Sequence, residues 1–490
     1  MALMLRALIG AAGAAMLMLA PASAEAQTVR AKSVQKVRVQ GRTIDVAAEV
    51  GNLPVSSKAG AEDATVGYIS YVPVKPAADA ERPVLVAFNG GPGASSAFLQ
   101  MGALGLSRVS VPQDPAAPLG RPAAAPNDDT LLDAADLLFL DPPGTGFSSL
   151  APNADLSFYH SVEGDALANA QAVKQWLASH GRLGAPIYIL GESYGTIRAT
   201  AMIDALAKVD PAIRLRGVLL LGQALNMIET SQRPDNIISY VVSLPSLAAI
   251  ACYHHKAAAP CTPAGIADKA ERFAGAIYLH ALFEGRAIAP AEKQRIADQL
   301  AALSGIPASY YLTHDLRITK EQFRVRLLKD EGKVVGRYDA RYTAPRPADA
   351  GETVGPDAFS AVSDLYGKAM PAYLAQLGVK NPADYKVLAL PKGEWAYGGS
   401  DSPFADWPFM TIIEKRMKKD PDFRLFIGNG LYDLTTTIGA ADYLIAQSDV
   451  PEGRYVLARY PAGHVSYSDD GSWRKMIGQI RAFLTSAPAR

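Results

Sequence analysis

The sequence predicts an α/β fold in which a helical cap is inserted into a doubly wound, mostly parallel sheet. Short apolar runs without polar alternation recur along the chain, helical patterns lie between several of them, and one long stretch lacks strand-like runs. Such runs are typical of parallel strands covered on both faces. Their alternation with helices predicts an α/β sheet, and the strand-poor stretch predicts the cap.

Six apolar runs are the predicted core strands, and the more polar segment 28–73 is predicted to supply edge strands. The core strands are Pro83–Phe88, Leu137–Leu140, Ile187–Leu190, Gly217–Leu221, Leu425–Ile427 and Tyr455–Ala458. Ser161–His180 is a predicted helix, because its apolar residues recur at i, i+4 and i+7 and Gly181 follows as the C′ residue. A second helical pattern, Thr196–Leu206, follows the third core strand.

The predicted cap covers residues 227–404, where Ala-rich helical patterns dominate. Thr262-Pro263 suits the N-cap and first positions of one of its helices. The core would then consist of residues 25–226 and 405–490. A separate tandem domain is the alternative, and it is disfavoured because the strands on both sides of the stretch fit one sheet.

Residues 1–24 have the layout of a secretory signal peptide. Arg6 precedes the uncharged apolar run Ala7–Ala20, and Ala22-Ser23-Ala24 is a small-residue cleavage pattern. A membrane anchor is the alternative, but the run is shorter than the ~20 apolar residues of a spanning helix. We therefore expect a periplasmic or secreted protein without membrane attachment after cleavage.

The charge balance bears on the partners of the protein. The 490-residue chain has 48 Lys plus Arg and 48 Asp plus Glu, so its formal net charge is zero. Proteins that bind nucleic acids usually carry a basic excess, and we expect no nucleic-acid partner. A homodimer is compatible with this composition.

The two cysteines, Cys252 and Cys261, lie close together in the chain. Export to an oxidising compartment favours a disulfide bond between them. The alternative is a zinc site that also uses His254 and His255, but the spacing matches none of the usual zinc patterns. We predict the disulfide and no metal.

Gly191-Glu192-Ser193-Tyr194-Gly195 has the G-x-S-x-G pattern of a nucleophile elbow. It lies between a predicted strand and a predicted helix, which is the context that the pattern requires. The turn would expose the Ser193 hydroxyl at the carboxyl edge of the sheet, with the Tyr194 N–H as an oxyanion donor. An ordinary strand-to-helix turn is the alternative.

A serine nucleophile needs a base, and the base needs an acid that orients it. In the α/β-hydrolase fold, these residues follow the serine in the order Asp or Glu, then His. Asp433 follows the strand Leu425–Ile427 in a Gly-flanked loop, and His464 follows the strand Tyr455–Ala458. Both come just past strand ends, where such sheets collect catalytic groups. We predict a triad of Ser193, His464 and Asp433.

The segment Asn89–Gly93 follows the first core strand and contains the pair Gly90-Gly91. Adjacent glycines let a backbone approach a substrate closely, so this loop is a candidate for the second oxyanion donor. A phosphate-binding loop is disfavoured, since no G-x-G-x-x-G and no following Lys-Ser or Lys-Thr is present. Because a triad and backbone donors would suffice for the chemistry, we predict no cofactor.

Five segments resemble motifs of the serine carboxypeptidases and occur in the same order. They are Asn89–Ser96 (NGGPG-x-SS), Leu140–Ser148 (D-x-P-x-G-x-GFS), Gly191–Gly195 (GESY), Gly430–Asp433 and Ala462–His464. By this resemblance the chain is identified as a bacterial-type member of the serine carboxypeptidase family, in the α/β-hydrolase superfamily.

The resemblance implies an exopeptidase that removes C-terminal amino acids, so peptides are the expected substrates. It implies that the N–H groups of Gly91 and Tyr194 form the oxyanion hole. It also implies that Asn89 and Glu192, assisted by the Gly90 N–H, bind the substrate's terminal carboxylate. Two carboxyl groups share a hydrogen bond only when one is protonated, so acid pH should favour this binding.

Two departures from the family pattern bear on substrate binding. Ala103 stands where a second carboxylate-binding Glu is expected, and Val465-Ser466-Tyr467 replaces Met-Val-Pro after the catalytic His. Arg198, close to the nucleophile, is interpreted as a surface residue, with a contact to the substrate carboxylate as the alternative.

Three functions are compared on this basis. A serine carboxypeptidase is the leading hypothesis, because it uses all of the motifs. An esterase or acyltransferase with the same triad is the second, since the missing Glu would weaken peptide selection. A catalytically silent binding protein is the third, and the presence of all three triad residues disfavours it.

Overall fold

The structure is a computed structural model that describes residues 28–60, 62–74, 81–348, 357–391, 393–398 and 407–486. The predicted signal peptide, residues 1–24, lies outside the described residues. The strands are β1 (Thr28–Val39), β2 (Arg42–Val55), β3 (Ala64–Pro73), β4 (Val84–Phe88), β5 (Ser107–Val109), β6 (Ala124–Pro126), β7 (Asp136–Asp141), β8 (Ser149–Leu150), β9 (Pro186–Glu192), β10 (Arg214–Leu221), β11 (Lys333–Val335), β12 (Thr343–Pro345), β13 (Arg424–Gly430) and β14 (Tyr455–Tyr460).

The two helices predicted on either side of the nucleophile, Ser161–His180 and Thr196–Leu206, agree with the structure to within three residues. The helices of the described residues follow in chain order. They are α1 (Ala97–Leu99), α2 (Leu156–Tyr159), α3 (Val162–Ser179), α4 (Tyr194–Val209), α5 (Met227–Thr230), α6 (Ile237–Val241), α7 (Leu244–Tyr253), α8 (Pro263–Phe273), α9 (Leu279–Glu284), α10 (Pro290–Ser304), α11 (Ala308–Thr313), α12 (Lys320–Arg326), α13 (Ser360–Gln376), α14 (Phe409–Lys419), α15 (Ile438–Ala446) and α16 (Asp470–Thr485).

One large sheet organises the described part of the chain, with strand order β1-β2-β3-β7-β4-β9-β10-β13-β14 and with β8 paired to β3. Neighbouring strands from β7 to β14 run parallel, whereas β1, β2 and β3 form an antiparallel edge. The predicted fold class is confirmed. Because the central strands are parallel, the loops after β4, β9, β13 and β14 meet at one edge of the sheet.

The sheet is covered on both faces, as its apolar strands require. In β4, Leu85 and Ala87 belong to the apolar cluster that includes residues of α13 and α16. Val84, Val86 and Phe88 belong to the cluster on the other face, which includes residues of α3, α4 and α14. The rigid sheet therefore holds the loops at its carboxyl edge in defined positions.

The predicted cap segment, residues 227–404, contributes to two packing units. Helices α6 to α12 share an apolar cluster of their own, which also includes Leu431 and Tyr432 from the core. Helix α13 instead packs into the core cluster against the sheet, with Tyr366 and Met370 fully buried there. This helical unit is thus shorter than the predicted cap, residues 227–404.

Cys252 and Cys261 form a disulfide bond between the end of α7 and the start of α8. The zinc alternative therefore fails, since both sulfur atoms are used, and the His254 imidazole bonds instead to the Ala340 carbonyl through Nε2. None of the helices in the described ranges combines the length and the hydropathy that a membrane span requires.

Candidate active site

Ser193 occupies the sharp turn between β9 and α4. Its backbone has φ +58° and ψ −128°, a region that residues with a Cβ rarely adopt and that is common at functional sites. The Ser193 N–H donates to the Leu221 carbonyl of the neighbouring strand at 2.9 Å. The turn is therefore held in its strained form by the sheet, as a nucleophile elbow requires.

The His464 imidazole lies against the end of β10, next to this turn. A Cβ on Gly222 would lie only 2.8 Å from His464 Cε1, so a residue larger than glycine would displace the ring. Leu221, which precedes Gly222, accepts the Ser193 N–H. Ser193 and His464 thus both contact the backbone of Leu221-Gly222.

Asp433 holds the imidazole through its Nδ1 atom. The distance from His464 Nδ1 to Asp433 Oδ2 is 2.7 Å, and both side chains are buried. The N–H groups of Thr435 and Thr436 donate to Asp433 Oδ1 at 2.6 and 3.0 Å, and the Thr436 hydroxyl donates to Oδ2 at 2.6 Å. These donors fix the carboxylate, so the imidazole orientation is fixed as well.

The protonation of His464 reflects two opposing effects. Burial by itself lowers the pKa of His464, but the charge and hydrogen bond of Asp433, together with the charges of Glu192 and Asp357, raise it overall. His464 Nε2 has no hydrogen-bond partner among the described residues. The ring is therefore held by the hydrogen bond at Nδ1, and Nε2 is available to accept a proton.

The loop Asn89–Gly93 packs directly on the nucleophile turn. A Cβ on Gly90 would lie 2.5 Å from the Tyr194 N and 2.6 Å from the Glu192 carbonyl oxygen, so only glycine fits there. Tyr194 is the first residue of α4, where N–H groups lack helical partners. Gly91 and Tyr194 thus belong to two backbone segments in contact, as the predicted oxyanion hole requires.

Asp141, at the end of β7, supports the continuation of this loop. Its Oδ1 accepts hydrogen bonds from the Ser96 N–H, the Ser96 hydroxyl and the Tyr385 hydroxyl at 2.8, 2.8 and 2.9 Å. Burial raises the pKa of Asp141 to about 6, although these donors favour the charged form. Asp141 therefore holds Ser96, three residues after the loop Asn89–Gly93, in place.

Arg198 supports the same loop from α4. Its side chain is fully buried, Nε donates to Asp165 Oδ2 at 2.7 Å, and Nη1 donates to the Asn89 carbonyl at 2.7 Å. Tyr194 also donates to Asp165 Oδ2, at 3.0 Å. The interpretation of Arg198 as a surface residue is wrong, because its buried guanidinium bonds helix α4 to the loop Asn89–Gly93.

We expect Arg198→Met to lower the free energy of unfolding by about 3–5 kcal/mol, since it leaves the buried Asp165 without its cation. Urea denaturation of the whole chain measures this change. Arg295→Met is the matched control, because Arg295 forms an exposed helical pair with Glu292 that is worth at most ~0.5 kcal/mol. A loss below ~1 kcal/mol for Arg198→Met would contradict a structural role of the buried pair.

Asn89 and Glu192, the residues predicted to bind the substrate carboxylate, touch each other. Asn89 Nδ2 donates to Glu192 Oε1 at 2.7 Å, and the Asn89 side-chain oxygen accepts the Leu99 N–H at 3.0 Å. Burial raises the pKa of Glu192, although the charge of His464 and the side chains of Tyr467 and Asn89 oppose the shift. Ala103 is completely buried in the core cluster.

The segment Arg337–Asp339 contacts both catalytic loops and was not found from the sequence. The Tyr338 carbonyl accepts the His464 N–H at 2.6 Å, and the Arg337 carbonyl accepts the Leu434 N–H at 3.0 Å. Asp339 Oδ2 accepts the Gly463 N–H at 3.1 Å. The Tyr338 ring, 40% exposed, lies 5.2 Å from the His464 ring. The exposed Tyr338 ring thus lies beside the imidazole, in a segment whose sequence matches no motif.

The sheet, the strained serine turn and the Asp433–His464 pair together define a serine hydrolase of the α/β-hydrolase class. Residues 62–245 match the model of the serine carboxypeptidase family. Over this part of its length the chain is similar to the serine carboxypeptidases.

One solved structure, that of a yeast carboxypeptidase, supports this fold. The crystal structure of Kex1(Δ)p, a prohormone-processing carboxypeptidase from Saccharomyces cerevisiae, aligns with a TM-score of 0.55 at 15% identity, covering 95% of this chain and 97% of that one. The peroxisomal α/β-hydrolase Lpx1 from the same yeast aligns with a TM-score of 0.36 at 12% identity, covering 90% of each chain. No curated protein sequence matches the chain.

Proposed function

We propose that the protein releases C-terminal amino acids from peptides through an acyl-enzyme on Ser193. The observation that carries this proposal is the buried Asp433–His464 pair, with Nδ1 tied at 2.7 Å and Nε2 without a partner in the described part of the chain. An imidazole held in this way takes up a proton at Nε2 and can return it.

In the proposed mechanism, His464 Nε2 takes the hydroxyl proton as Ser193 Oγ attacks the last peptide carbonyl. The N–H groups of Gly91 and Tyr194 stabilise the oxyanion that forms. When the C–N bond breaks, His464 gives the proton to the leaving amine, and the peptide remains as an ester on Ser193. Water then attacks this ester, His464 accepts a proton from the water, and Ser193 recovers its hydroxyl proton.

We further propose that Asn89 and Glu192, with the Gly90 N–H, bind the terminal carboxylate of the substrate. A buried glutamic acid with a raised pKa can keep its proton and donate it to a second carboxyl group. The contact between the two side chains and their place next to Ser193 support this assignment. Recognition should be lost as the pH rises through the raised pKa, because a charged Glu192 repels the carboxylate.

The test uses an N-blocked dipeptide with a free C-terminal carboxylate, its amide and its methyl ester. Below the raised pKa of Glu192, we expect kcat/KM for the free acid to exceed that for the amide by about 10- to 100-fold, the value of a hydrogen bond to a charged group. The ratio should fall as the pH rises. Glu192→Gln should make it independent of pH, because glutamine does not titrate.

An esterase or acyltransferase is the second candidate function. It is favoured by one observation, the completely buried Ala103 at the position of the family's second carboxylate-binding Glu. Turnover of the methyl ester alone, with no preference for a free carboxylate at any pH from 4 to 8, would overturn the carboxypeptidase assignment and support this candidate.

We also propose that the protein acts in the periplasm or outside the cell. The Cys252–Cys261 disulfide supports this proposal, since such bonds persist in oxidising compartments, as does the signal-peptide pattern of residues 1–24. The N-terminal residue of the exported protein tests it, because cleavage after Ala24 would leave Glu25 first.

A further inference from the structure

Lys320 extends from helix α12 to the loop that carries Asp433, and the mechanism described above does not use it. Its ammonium group donates from Nζ to the Thr435 carbonyl at 3.2 Å. The residue is half-buried, and taking a charged amine out of water costs free energy unless other groups compensate for the loss. A half-buried cation is therefore bonded to the loop that orients the catalytic imidazole.

The peptide group between Thr435 and Thr436 connects this lysine with Asp433. Its carbonyl oxygen accepts the hydrogen bond from Lys320 Nζ, and its N–H donates to Asp433 Oδ1 at 3.0 Å. Asp433 Oδ2 lies 2.7 Å from His464 Nδ1. Because successive hydrogen bonds polarise one another, the ammonium group strengthens the N–H bond to Asp433. A continuous chain of hydrogen bonds thus leads from helix α12 to the imidazole.

The start of helix α12 is held in place by other contacts as well. The Lys320 N–H donates to Gln232 Oε1 at 2.6 Å. The next residue, Glu321, accepts a hydrogen bond from Arg337 Nε at 2.6 Å, and the Arg337 carbonyl accepts the Leu434 N–H at 3.0 Å. Helix α12 therefore holds the catalytic loop at two points, directly through Lys320 and indirectly through Arg337.

We propose that Lys320 is a positioning residue of the catalytic triad, which holds the Asp433 loop and weakens proton uptake by His464. It acts through the Thr435 carbonyl and Asp433 rather than on the substrate. A cation near Asp433 stabilises the carboxylate and disfavours a second positive charge on the imidazole. Lys320 therefore keeps His464 neutral, and active as a base, to lower pH. This inference rests on the proposed role of His464 as the base.

Other charged and titratable groups also face Lys320 or His464. They are Asp433, Glu192, Asp357, Glu321, Arg337 and Tyr338. Burial lowers the pKa of His464, whereas the first three of these groups raise it. The Arg337 guanidinium is paired with Glu321, and Lys320 supplies positive charge that opposes the carboxylates. Loss of Lys320 therefore raises the pKa of His464 further.

The experiment measures kcat/KM from pH 4 to 9 for the free-acid dipeptide and for its methyl ester. Wild-type activity should fall as the pH drops through the pKa of His464, where Lys320 keeps its proton. In Lys320→Met we expect the midpoint of this fall to move up by about one pH unit, a tenfold change in the proton affinity of His464. Methionine nearly keeps the length of the side chain but removes its charge and its donor. The shift should appear with each substrate that is turned over, because each needs a neutral imidazole.

Two further variants serve as controls. Lys320→Arg keeps a cation and a donor, so it should return the midpoint towards the wild-type value. Lys418→Met removes a lysine that forms an exposed pair with Asp449, and its midpoint should equal that of the wild-type protein. An unchanged midpoint in Lys320→Met, even with a lower kcat, would overturn the inference, and so would an equal shift in Lys418→Met. Neither result would contradict the proposed function, which is tested by the preference for a free carboxylate.

Proton NMR gives a second readout that needs no turnover. The proton between His464 Nδ1 and Asp433 Oδ2 should give a downfield signal that is absent in Asp433→Asn. The titration of this signal reports the pKa of His464 directly. In Lys320→Met its midpoint should again lie about one pH unit higher than in the wild-type protein. The same midpoint in both proteins would contradict an action of Lys320 on the Asp433–His464 pair.

Discussion

Ser193→Ala is expected to lower kcat for the free-acid dipeptide by about 10⁵- to 10⁶-fold. The variant lacks the oxygen that would attack the peptide carbonyl, and no acyl-enzyme can form. Serine and alanine have the same Cβ, so the strain of the turn at φ +58° is equal in both and the fold should be unaffected. Steady-state turnover together with labelling by a serine-directed phosphonate measures the effect.

The control is Ser33→Ala, because Ser33 lies on β1 at the far edge of the sheet. It should keep full turnover and full labelling. If Ser193→Ala retained more than about 1% of the wild-type kcat, or were still labelled at one serine per chain, the nucleophile would have to be another residue.

Asp433→Asn is expected to lower kcat by about 10⁴-fold with little change in KM, the size of effect known for loss of the orienting carboxylate. Asp433 Oδ1 accepts two backbone N–H groups from Thr435 and Thr436, so the asparagine oxygen must take that place. Its amide NH₂ would then face His464 Nδ1. The ring would carry its proton on Nε2 and could not accept one from Ser193.

This variant also changes the pH dependence. His464 acts as a base only when neutral, and the charge of Asp433 raises its pKa against the effect of burial. Wild-type activity should therefore fall as the pH drops through that raised pKa. In Asp433→Asn the residual activity should persist to lower pH, because the charge that raises the pKa of His464 is gone.

Asp298→Asn on helix α10 serves as the control for Asp433→Asn, since Asp298 is exposed and bonds only to Gln294 in the described structure. Its kcat and its pH profile should match the wild-type values. A loss of less than about 100-fold in Asp433→Asn would mean that another group orients the imidazole, and Thr436, whose hydroxyl lies 3.1 Å from His464 Nδ1, would be the first candidate.

The departures from the serine carboxypeptidase pattern leave Ser193, Asp433 and His464 in place. The loops that carry Ser193, Asp433 and His464 and the loop Asn89–Gly93 lie at strand ends that meet at one edge of the sheet. In the proposed carboxylate site Glu192 and Asn89 are retained, whereas Ala103 stands at the position of the second Glu and Tyr467 at the position of the proline. A pH profile that differs from the family pattern would therefore arise from the surroundings of Glu192, with the Asp433–His464 pair unchanged.

Much of the site could be predicted from the sequence because its signals are local. An apolar run of three or four residues, followed by a polar residue close to a glycine, marks Ser193, Asp433 and His464. In a parallel sheet the carboxyl ends of such strands meet at one edge. The Cys252–Cys261 disulfide is local as well, since nine positions separate the two residues.

The tertiary structure decided what depends on residues far apart in the chain. Arg198 is buried because Asp165, on another helix, neutralises it, and its own neighbours in sequence do not indicate this. Tyr338 stands beside His464 because the Arg337–Asp339 segment bonds to loops more than 90 positions away. Helix α13 belongs to the core because its apolar side chains pack against the sheet. A periodic pattern predicts that a helix has an apolar face, but only long-range packing decides which surface that face covers.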